Sequence, residues 1–474
     1  MKKKILLFTS LMLAGGVAMA QVPRQSTDVL LQGFYWESQN VTGWTQLTNE
    51  AAAIGKSFTG IWLPPSAAAE GDNTVGGTNV GYHPRIWNNQ NSTWGTADNL
   101  KTLINTLHNN NVKVIADIVV NHRGGYTSWL DFAPDNFGTY GSYQLTAADV
   151  CSTDEVNTDP NAGIYYGKAT GAADTGENWA GARDLDMTST NVQNDIKAYL
   201  NWLKGEFGYD GFRYDLVKGY NGSYVGLFND ATSPWLSVGE YWDGGYDAVN
   251  NWLKATNYKS MAFDFPAKYA IFNNGLAQGN FGNMSWTDLT INKARPAGLI
   301  HHGSTRPYAV TFVDNHDTYR DDSKFTGVVD QAYAVLMASA GIPMVFYPHW
   351  KSAQSLIEKQ IACRKVAGIH SETDVDVTQK GTYYESYSYG TAGTLICRVG
   401  ASAPTTVPEG YFLAAQGNSW WYYLPTALQD VLTGVERIDT PVAQTSSATY
   451  DLSGRRVSEN AKGVVIQNGK KVLK

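Results

Sequence analysis

The 474-residue chain has few cysteines, little charge and few long apolar runs. Its three cysteines, Cys151, Cys363 and Cys397, form an odd and sparse set that argues against a disulfide scaffold and resembles no zinc site. A single Cys363–Cys397 disulfide remains an alternative that the sequence does not decide. Charged residues make up 17%, below the usual value of about 25%, and the net charge of −7 argues against a nucleic-acid partner. With 43% hydrophobic and 12% aromatic residues, the sequence excludes disorder and predicts two or three folded domains.

The apolar run at the start of the chain reads as a transport signal. Three lysines at 2–4 precede a mostly apolar stretch over 5–17, and Ala18-Met-Ala20 follows as a cleavage site. This order predicts a signal peptide over 1–20 and export of a mature protein that begins near Gln21. The stretch is short for a membrane span, and no later segment replaces it.

The end of the chain differs in composition from the rest. We predict a linker over 426–447 and a separate basic tail over 448–474, which holds six Lys or Arg against two Asp or Glu. Asn468-Gly469 between β-rich runs is a hairpin turn signal. The tail resembles C-terminal sorting tails read by an outer-membrane secretion system of some Gram-negative bacteria, which implies that machinery as a partner. A small hairpin ending the last domain is the alternative.

The middle of the chain alternates short β-rich runs with amphipathic helical patterns. Such alternation is typical of a parallel sheet with helical crossovers, and eight strand candidates predict an α/β fold built on a closed (β/α)8 TIM barrel. Helical stripes such as Leu100, Leu103, Ile104 and Leu107 mark core faces. The strand candidates are 29–34, 60–63, 112–120, 211–217, 236–239, 261–265, 308–313 and 344–347.

Two segments break this alternation. The residues over 122–185 are rich in Gly, Asp and Tyr, and they predict a loop domain inserted after the third strand. The residues over 361–425 turn β-rich and predict a C-terminal antiparallel β domain. The catalytic barrel then comprises 21–121 and 186–360.

Polar side chains collect where the predicted strands end, which is where the active site of such a barrel forms. Arg213 and Asp215 share one face of their strand because they lie two residues apart. Carboxylates at the ends of apolar strands are costly to bury unless they are paired. Their convergence with an arginine and two histidines favours a catalytic site. The residues are Asn121, His122, Arg213, Asp215, Lys218, Glu240, Trp242, His316 and Asp317.

Taken together and in this order, the motifs resemble those of α-amylases of glycoside hydrolase family 13. The resemblance runs from the QGFYW motif at 32–36 to the AAQGN motif at 414–418. It is greatest to the plant and archaeal branch, because Lys218-Gly-Tyr follows the nucleophile motif. The resemblance implies that Asp215 is the nucleophile, Glu240 the general acid/base and Asp317 the stabiliser of the distorted sugar.

The chemistry of glycoside cleavage fits these residue types independently. One carboxylate attacks the anomeric carbon while a protonated carboxyl gives its proton to the leaving oxygen, so the two must differ in charge at one pH. We expect Arg213 to keep Asp215 ionised, and partial burial beside aromatic residues to raise the pKa of Glu240. The family implies net retention of the anomeric configuration.

The resemblance also implies substrate and metal contacts. Tyr82 matches the tyrosine that stacks on the sugar next to the cleavage point, and Lys218 and Trp242 match contacts on the leaving-group side. His122 and His316 would bind sugar hydroxyls beside Arg213. The implied Ca²⁺ ligands are all oxygens, as a hard cation prefers. They are Asn121, Asp174, the Glu177 carbonyl, Asp184 and the Gly219 carbonyl.

We therefore expect an exported, monomeric endo-acting α-amylase that cleaves internal α-1,4-glucosidic bonds of starch, glycogen or maltooligosaccharides. Another family 13 activity, maltogenic or transglycosylating, is one alternative, and a non-catalytic starch-binding protein is a second. A metal-dependent hydrolase that uses His122 and His316 as ligands is disfavoured, because the chain lacks the H-x-H or HExxH spacing of such enzymes.

Overall fold

The computed structural model describes residues 22–70, 80–439, 449–450, 456–457, 464–467 and 470–473. The predicted signal peptide over 1–20 lies outside the described residues, as does most of the predicted tail. Within the described residues, no helix combines the length and the apolar character needed to cross a membrane.

Eight parallel strands close into a barrel, which confirms the predicted (β/α)8 fold. Leu30 of the first strand pairs with Met344 of the last strand on one side and with Gly60 of the second strand on the other. Every predicted strand contributes to the barrel, although each observed strand is shorter than its prediction or shifted along it. The strands are β1 Leu30–Gln32, β2 Gly60–Trp62, β3 Lys113–Ile118, β4 Gly211–Tyr214, β5 Ser237–Gly239, β6 Met261–Phe263, β7 Ala309–Phe312 and β8 Ile342–Phe346.

Helices follow the barrel strands and cover them. The helix over Ala97–Asn109 shows why: Thr96 caps its first turn, and the predicted stripe of four apolar residues is fully buried. The main helices are α1 Trp44–Ser57, α2 Ala97–Asn109, α3 Thr190–Trp202, α4 Gly222–Thr232, α5 Tyr246–Ala255, the π-helical α6 Lys268–Leu276, α7 Val329–Met337 and α8 Tyr347–Ala367. Shorter helices lie over Gln39–Thr42, Glu155–Thr158, Ala162–Tyr166, Leu203–Phe207 and Phe265–Ala267.

The segment between β3 and α3 contains the predicted insertion. Its two ends pair with each other, His122–Arg123 with Arg183–Asp184, so the segment leaves and rejoins the barrel at one place. Arg183 is fully buried and donates to the carbonyl oxygens of Arg123, Gly124 and Asp131. Each of these bonds fixes the path of the insertion beside the barrel.

The C-terminal part contains a five-stranded antiparallel sheet, as predicted. Helix α8 runs to Ala367 and therefore crosses the predicted boundary between 360 and 361. Cys151, Cys363 and Cys397 are buried, and none of the three is part of a disulfide, so a Cys363–Cys397 bridge is absent. The sheet strands, β9 to β13 in chain order, are Val375–Lys380, Tyr384–Tyr389, Thr394–Val399, Tyr411–Gly417 and Trp420–Pro425.

The segment after this sheet differs from the predicted linker over 426–447. Residues Thr426–Leu428 form a helical turn, and Gln429–Asp439 form helix α9. The segment is helical because its sequence has a short amphipathic pattern, whose apolar side includes the buried Leu432. Farther along, four short strands form one antiparallel sheet, and β16 pairs with β17 on either side of Asn468-Gly469, which lies outside the described residues. These strands are β14 Thr449–Tyr450, β15 Arg456–Val457, β16 Val464–Gln467 and β17 Lys470–Leu473.

A pair of buried carboxyl groups joins the insertion to helix α3. Asp135 of the insertion accepts a bond of 2.5 Å from Arg123, and all three side chains of this cluster, with Asp195 of α3, are fully buried. Burial is the main reason that the pKa of Asp195 rises to about 8, and the negative charge of Asp135 adds to it. One arginine thus balances two carboxyl groups, and Asp195 retains a proton near neutral pH.

We predict that Asp195→Asn reduces the loss of stability on going from pH 5 to pH 9. The folded state binds this proton more tightly than the unfolded chain, whose aspartate titrates near 3.8, so the free energy of unfolding falls as the pH rises toward 8. Asparagine has no proton to lose and can donate to Asp135. Urea unfolding across this pH range measures the effect, with exposed Asp98→Asn as the control; equal pH dependence of Asp195→Asn and wild type would contradict it.

Candidate active site

A cleft opens at the carboxyl ends of the barrel strands, where the sequence predicted the site. Five of the predicted residues at strand ends, His122, Asp215, Glu240, Trp242 and Asp317, line this cleft together with Tyr82. The remaining lining residues are Trp36, His83, Trp179 and Leu216.

The guanidinium of Arg213 lies beneath the cleft and contacts three carboxyl groups. Its Nη1 donates to Asp117 and to Asp215, each over 2.7 Å, and its Nη2 lies 2.7 Å from Glu240 Oε1. Arg213 is fully buried, and the three acids are at most 7% exposed. The three acids come from the ends of neighbouring strands β3, β4 and β5, so a single cation connects three adjacent strands.

This charge balance requires a proton. One guanidinium cannot neutralise three buried carboxylates, and burial raises the pKa of Asp117, Asp215 and Glu240. Burial raises the pKa of Glu240 to about 8, which favours the protonated form of this carboxyl group near neutral pH. For Asp215 the outcome differs from the expectation: Arg213 lowers the pKa, but burial outweighs it. The contact with Arg213 nevertheless favours the ionised form of Asp215.

The residue after Asp215 holds the second oxygen of Glu240. Leu216 has a positive φ of 44°, a conformation that a branched side chain adopts rarely. This turn directs the Leu216 N–H toward Glu240 Oε2, at 3.2 Å. A backbone bond and the Arg213 contact therefore fix the two oxygens of one carboxyl group.

Asp117 connects the charged cluster to the aromatic wall. Its Oδ2 accepts bonds from Trp62 Nε1, at 3.1 Å, and from the Tyr82 hydroxyl, at 2.8 Å. The Tyr82 ring stacks on His316 at 5.3 Å with the two planes 13° apart. The Tyr82 ring, which is predicted to stack on a sugar, is thus held by its hydrogen bond to Asp117 and by stacking on His316.

Asp317 is the most open of the acids at the cleft, with 28% of its side chain exposed. Trp36 Nε1 donates to its Oδ1 over 2.9 Å, and His316 Nε2 lies 3.0 Å from its Oδ2. The other ring nitrogen of His316 lies 3.0 Å from the side-chain nitrogen of Gln32. Burial lowers the pKa of His316 to about 4, so a neutral ring faces Asp317 at neutral pH.

His122 and Trp179 form the wall on the side of the insertion. The His122 ring stacks on Trp179 at 4.3 Å, and its Nε2 lies 2.8 Å from the Tyr82 carbonyl oxygen. His83 meets Trp179 edge-on at 5.9 Å. Burial lowers the pKa of His122 to about 4, which leaves a neutral imidazole suited to hydrogen bonding.

The opposite wall carries Trp242 and Lys218. Trp242 Nε1 donates to the Tyr269 hydroxyl over 2.8 Å, and its ring stacks on Phe265 at 5.2 Å. Lys218 Nζ lies 3.2 Å from Asp243, which fixes the amine near the same wall. These contacts orient both side chains that the resemblance places on the leaving-group side.

The five residues predicted to bind Ca²⁺ lie close together beside the end of β4. Asn121 Nδ2 donates to Asp184 over 3.2 Å, and a Cβ on Gly219 would lie only 2.0 Å from Asn121 Oδ1. The Glu177 N–H donates to the Lys218 carbonyl, which brings that turn against Gly219. Burial, and then the charge of Asp174, raise the pKa of Asp184 to about 8.

This donor set fits a hard cation. Amide, carboxylate and carbonyl oxygens are what Ca²⁺ prefers, and a cation would relieve the repulsion between Asp184 and Asp174. Across the described part of the chain, no three His, Cys, Asp or Glu side chains cluster in a way that could hold a metal ion. The predicted set contains only two such side chains, because its other donors are an amide and two carbonyls.

Several residues of the site were missed by sequence reasoning. Asp117 and Trp36 could have been found from the sequence, because they lie in recognisable motifs near the ends of β3 and β1. Trp179, His83 and Leu216 carry no such signal: the first lies in the insertion, the second follows Tyr82 and the third depends on backbone conformation.

The sequence of this chain is similar to those of known proteins. A family profile described as "Alpha amylase, catalytic domain" matches residues 54–233. "Probable alpha-amylase 2" of Arabidopsis thaliana is 31% identical over 427 residues, which cover 84% of this chain and 94% of that protein. "Alpha-amylase 3, chloroplastic" of the same plant is 30% identical over 75% of this chain, which spans only 40% of that longer protein.

Solved structures of similar fold extend the comparison. An α-amylase from Malbranchea cinnamomea matches with a TM-score of 0.59 and 17% identity, over 86% of this chain and 98% of that one. An α-amylase from Geobacillus thermoleovorans, solved in complex with acarbose, matches with a TM-score of 0.58 and 15% identity, over 84% and 98%. At these identities the likeness concerns the fold.

Proposed function

The chain belongs to the α-amylase family of glycoside hydrolases, and on that basis we propose that it is an endo-acting α-amylase that cleaves internal α-1,4-glucosidic bonds of starch or glycogen. The observation that supports this most is the three-carboxylate cluster around Arg213, open to an aromatic-walled cleft. A second cavity shares Trp242 with the cleft, which suits a chain that continues beyond the cleavage point. Lys218-Gly-Tyr and the Arabidopsis relatives support placement near the plant branch.

In the proposed mechanism Asp215 and Glu240 act in two steps. Asp215 attacks the anomeric carbon while Glu240 gives its proton to the leaving oxygen, so the C–O bond breaks and a glycosyl ester forms. Glu240, now ionised, takes a proton from water, whose oxygen attacks the same carbon and frees Asp215. Asp317 stabilises the distorted sugar, Tyr82 stacks on it and His122 binds its hydroxyls. The buried Arg213 and His316 do not line the cleft and instead hold the acids and the Tyr82 ring in position.

We predict that Asp215→Asn and Glu240→Gln each lower starch hydrolysis by about a thousandfold, because the first removes the nucleophile and the second removes the proton donor. Both amides keep the shape of the acid, so the melting temperature should stay near that of wild type. Release of sugars from amylose measures activity and products together. Early mixed oligosaccharides from wild type are expected; products of a single size, or an active variant, would contradict the proposal.

We further propose that Asn121, Asp174, the Glu177 carbonyl, Asp184 and the Gly219 carbonyl hold Ca²⁺. Bound there, the ion would supply positive charge that ties the insertion to the barrel next to the nucleophile strand. The buried Asp184 carboxyl and the close approach of Asn121 to Gly219 support this assignment.

Removal of calcium with EGTA should lower the melting temperature of the wild-type protein, because the carboxylates of the site then repel one another. Added Ca²⁺ should restore it and Zn²⁺ should not. Asp184→Asn should abolish the calcium-dependent shift in calorimetry, while exposed Asp159→Asn should keep it. A melting temperature that does not respond to EGTA would contradict the proposal.

Finally, we propose that residues 1–20 direct export and that 448–474 direct sorting through an outer-membrane secretion system. The basic, apolar and small-residue order at the start and the basic composition of the tail support this reading. A chain that lacks 448–474 should keep its amylase activity yet accumulate inside the cell envelope of a host with such a system. Equal delivery to the surface or medium would refute the sorting role.

A further inference from the structure

The loop that carries Asp317 is closed at its base by one buried lysine. Lys268 begins the π-helical α6, and its Nζ donates to the carbonyl oxygens of Val313 and Ser323, each over 2.9 Å. These two carbonyls lie on either side of Asp317 in the chain. We propose that Lys268 is a positioning residue for Asp317, because its ammonium group fixes this loop and so sets where the carboxylate meets the sugar. The inference rests on the proposed function and concerns the same site.

Asp314 completes the closure of the loop. Its Oδ1 accepts from Lys268 Nζ over 2.8 Å and from the Thr318 hydroxyl over 3.1 Å, and the Phe325 N–H donates to both of its oxygens, at 3.1 and 3.2 Å. The side chains of Lys268 and Asp314 are fully buried. Their pairing joins the start of the loop, at 313–314, to its end, at 323–325.

The positive charge at Asp314 comes from Lys268. His349 Nε2 also lies 3.6 Å from Asp314 Oδ2, but burial lowers the pKa of His349 to about 4, so its ring is neutral at neutral pH. Burial lowers the pKa of Lys268 as well, and the charge of Asp314 opposes that change. A buried carboxylate that loses its cation is costly, so removal of the ammonium group favours rearrangement of the loop.

Hydrogen bonds within the loop connect this closure to Asp317. Asn315 Oδ1 accepts from the N–H groups of Asp317 and Thr318, over 3.0 and 2.8 Å. The Asn315 N–H donates to the Thr318 hydroxyl over 3.0 Å, and the same hydroxyl donates to Asp314. The backbone of Asp317 is therefore linked through Thr318 to the buried ion pair.

A second side chain of α6 supports the same loop. Asn273 Nδ2 donates to the Ser323 carbonyl oxygen over 2.6 Å, and its Oδ1 lies 3.3 Å from Lys268 Nζ. Asn273 also lines the cavity that shares Trp242 with the cleft. Its neighbour Asn274 lines this cavity too, but it is exposed and stands outside the bonds described above. The two asparagines thus form a matched pair that separates support of the loop from contact with a bound chain.

The test measures kcat and KM separately on amylose and on an aryl maltotrioside with a good leaving group. Lys268→Met keeps about the same length and removes the charge. We expect its kcat per folded molecule to fall about tenfold to a hundredfold with little change in KM, the effect of moving a catalytic group by about 1 Å. The fall should be similar on both substrates, because Asp317 acts on the sugar and not on the leaving oxygen.

Arg364→Met is the matched control for loss of a buried cation. Arg364 is fully buried and donates to the carbonyl oxygens of Met337, Ser339 and Gly341, which precede β8 and so lie at the opposite end of the barrel. This variant should lower the melting temperature and leave kcat per folded molecule unchanged. A role in folding alone would make Lys268→Met behave in the same way.

Asn273→Ala and Asn274→Ala decide the question if Lys268→Met does not fold. Loss of a contact with the bound chain would raise KM in both, whereas kcat should fall about threefold in Asn273→Ala alone, the value of one hydrogen bond. An unchanged kcat in Lys268→Met or Asn273→Ala, or an equal fall in kcat in Arg364→Met, would overturn the inference. Failure of wild type to hydrolyse either substrate would instead refute the proposed function.

Discussion

One buried guanidinium organises the centre of this molecule. Arg213 lies 2.7 Å from oxygens of Asp117, Asp215 and Glu240, and all four side chains are withdrawn from water. Buried charges are tolerated only when they are paired, so each acid depends on this cation and the cation depends on them. Because one positive charge cannot balance three negative ones, the cluster keeps a proton. Burial raises the pKa of Glu240 to about 8, which favours that proton on Glu240, the proposed donor to the leaving oxygen.

The barrel is what makes this cluster possible. Arg213 pairs in register with Asp117 of β3 and with Val238 of β5. The ends of β3, β4 and β5 therefore each place one acid at the same level of the barrel. The insertion then closes one side: it contributes Trp179 to the cleft, and its two ends pair where His122 enters the wall. The Asp135–Asp195 pair and the proposed calcium site act on this same junction. The geometry of the cleft therefore depends on how firmly the insertion is held.

The sequence predicted the barrel because its strands are short apolar runs separated by amphipathic helices, and the predicted catalytic acids lie directly after those strands. It failed where the deciding quantity is a distance or a backbone angle. The role of Asp117 depends on the register between β3 and β4, and the bond to Glu240 depends on the positive φ of Leu216. Helix α9 was missed because its amphipathic pattern is brief.

The central claim is that Asp215 attacks the sugar directly while Glu240 supplies the proton. Its most direct test is the configuration of the first product released from a maltooligosaccharide, followed by proton NMR before the anomers equilibrate. Two successive displacements at one carbon predict that the α-anomer appears first. Initial release of the β-anomer would mean that water, and not Asp215, attacks in a single step, and would contradict the account.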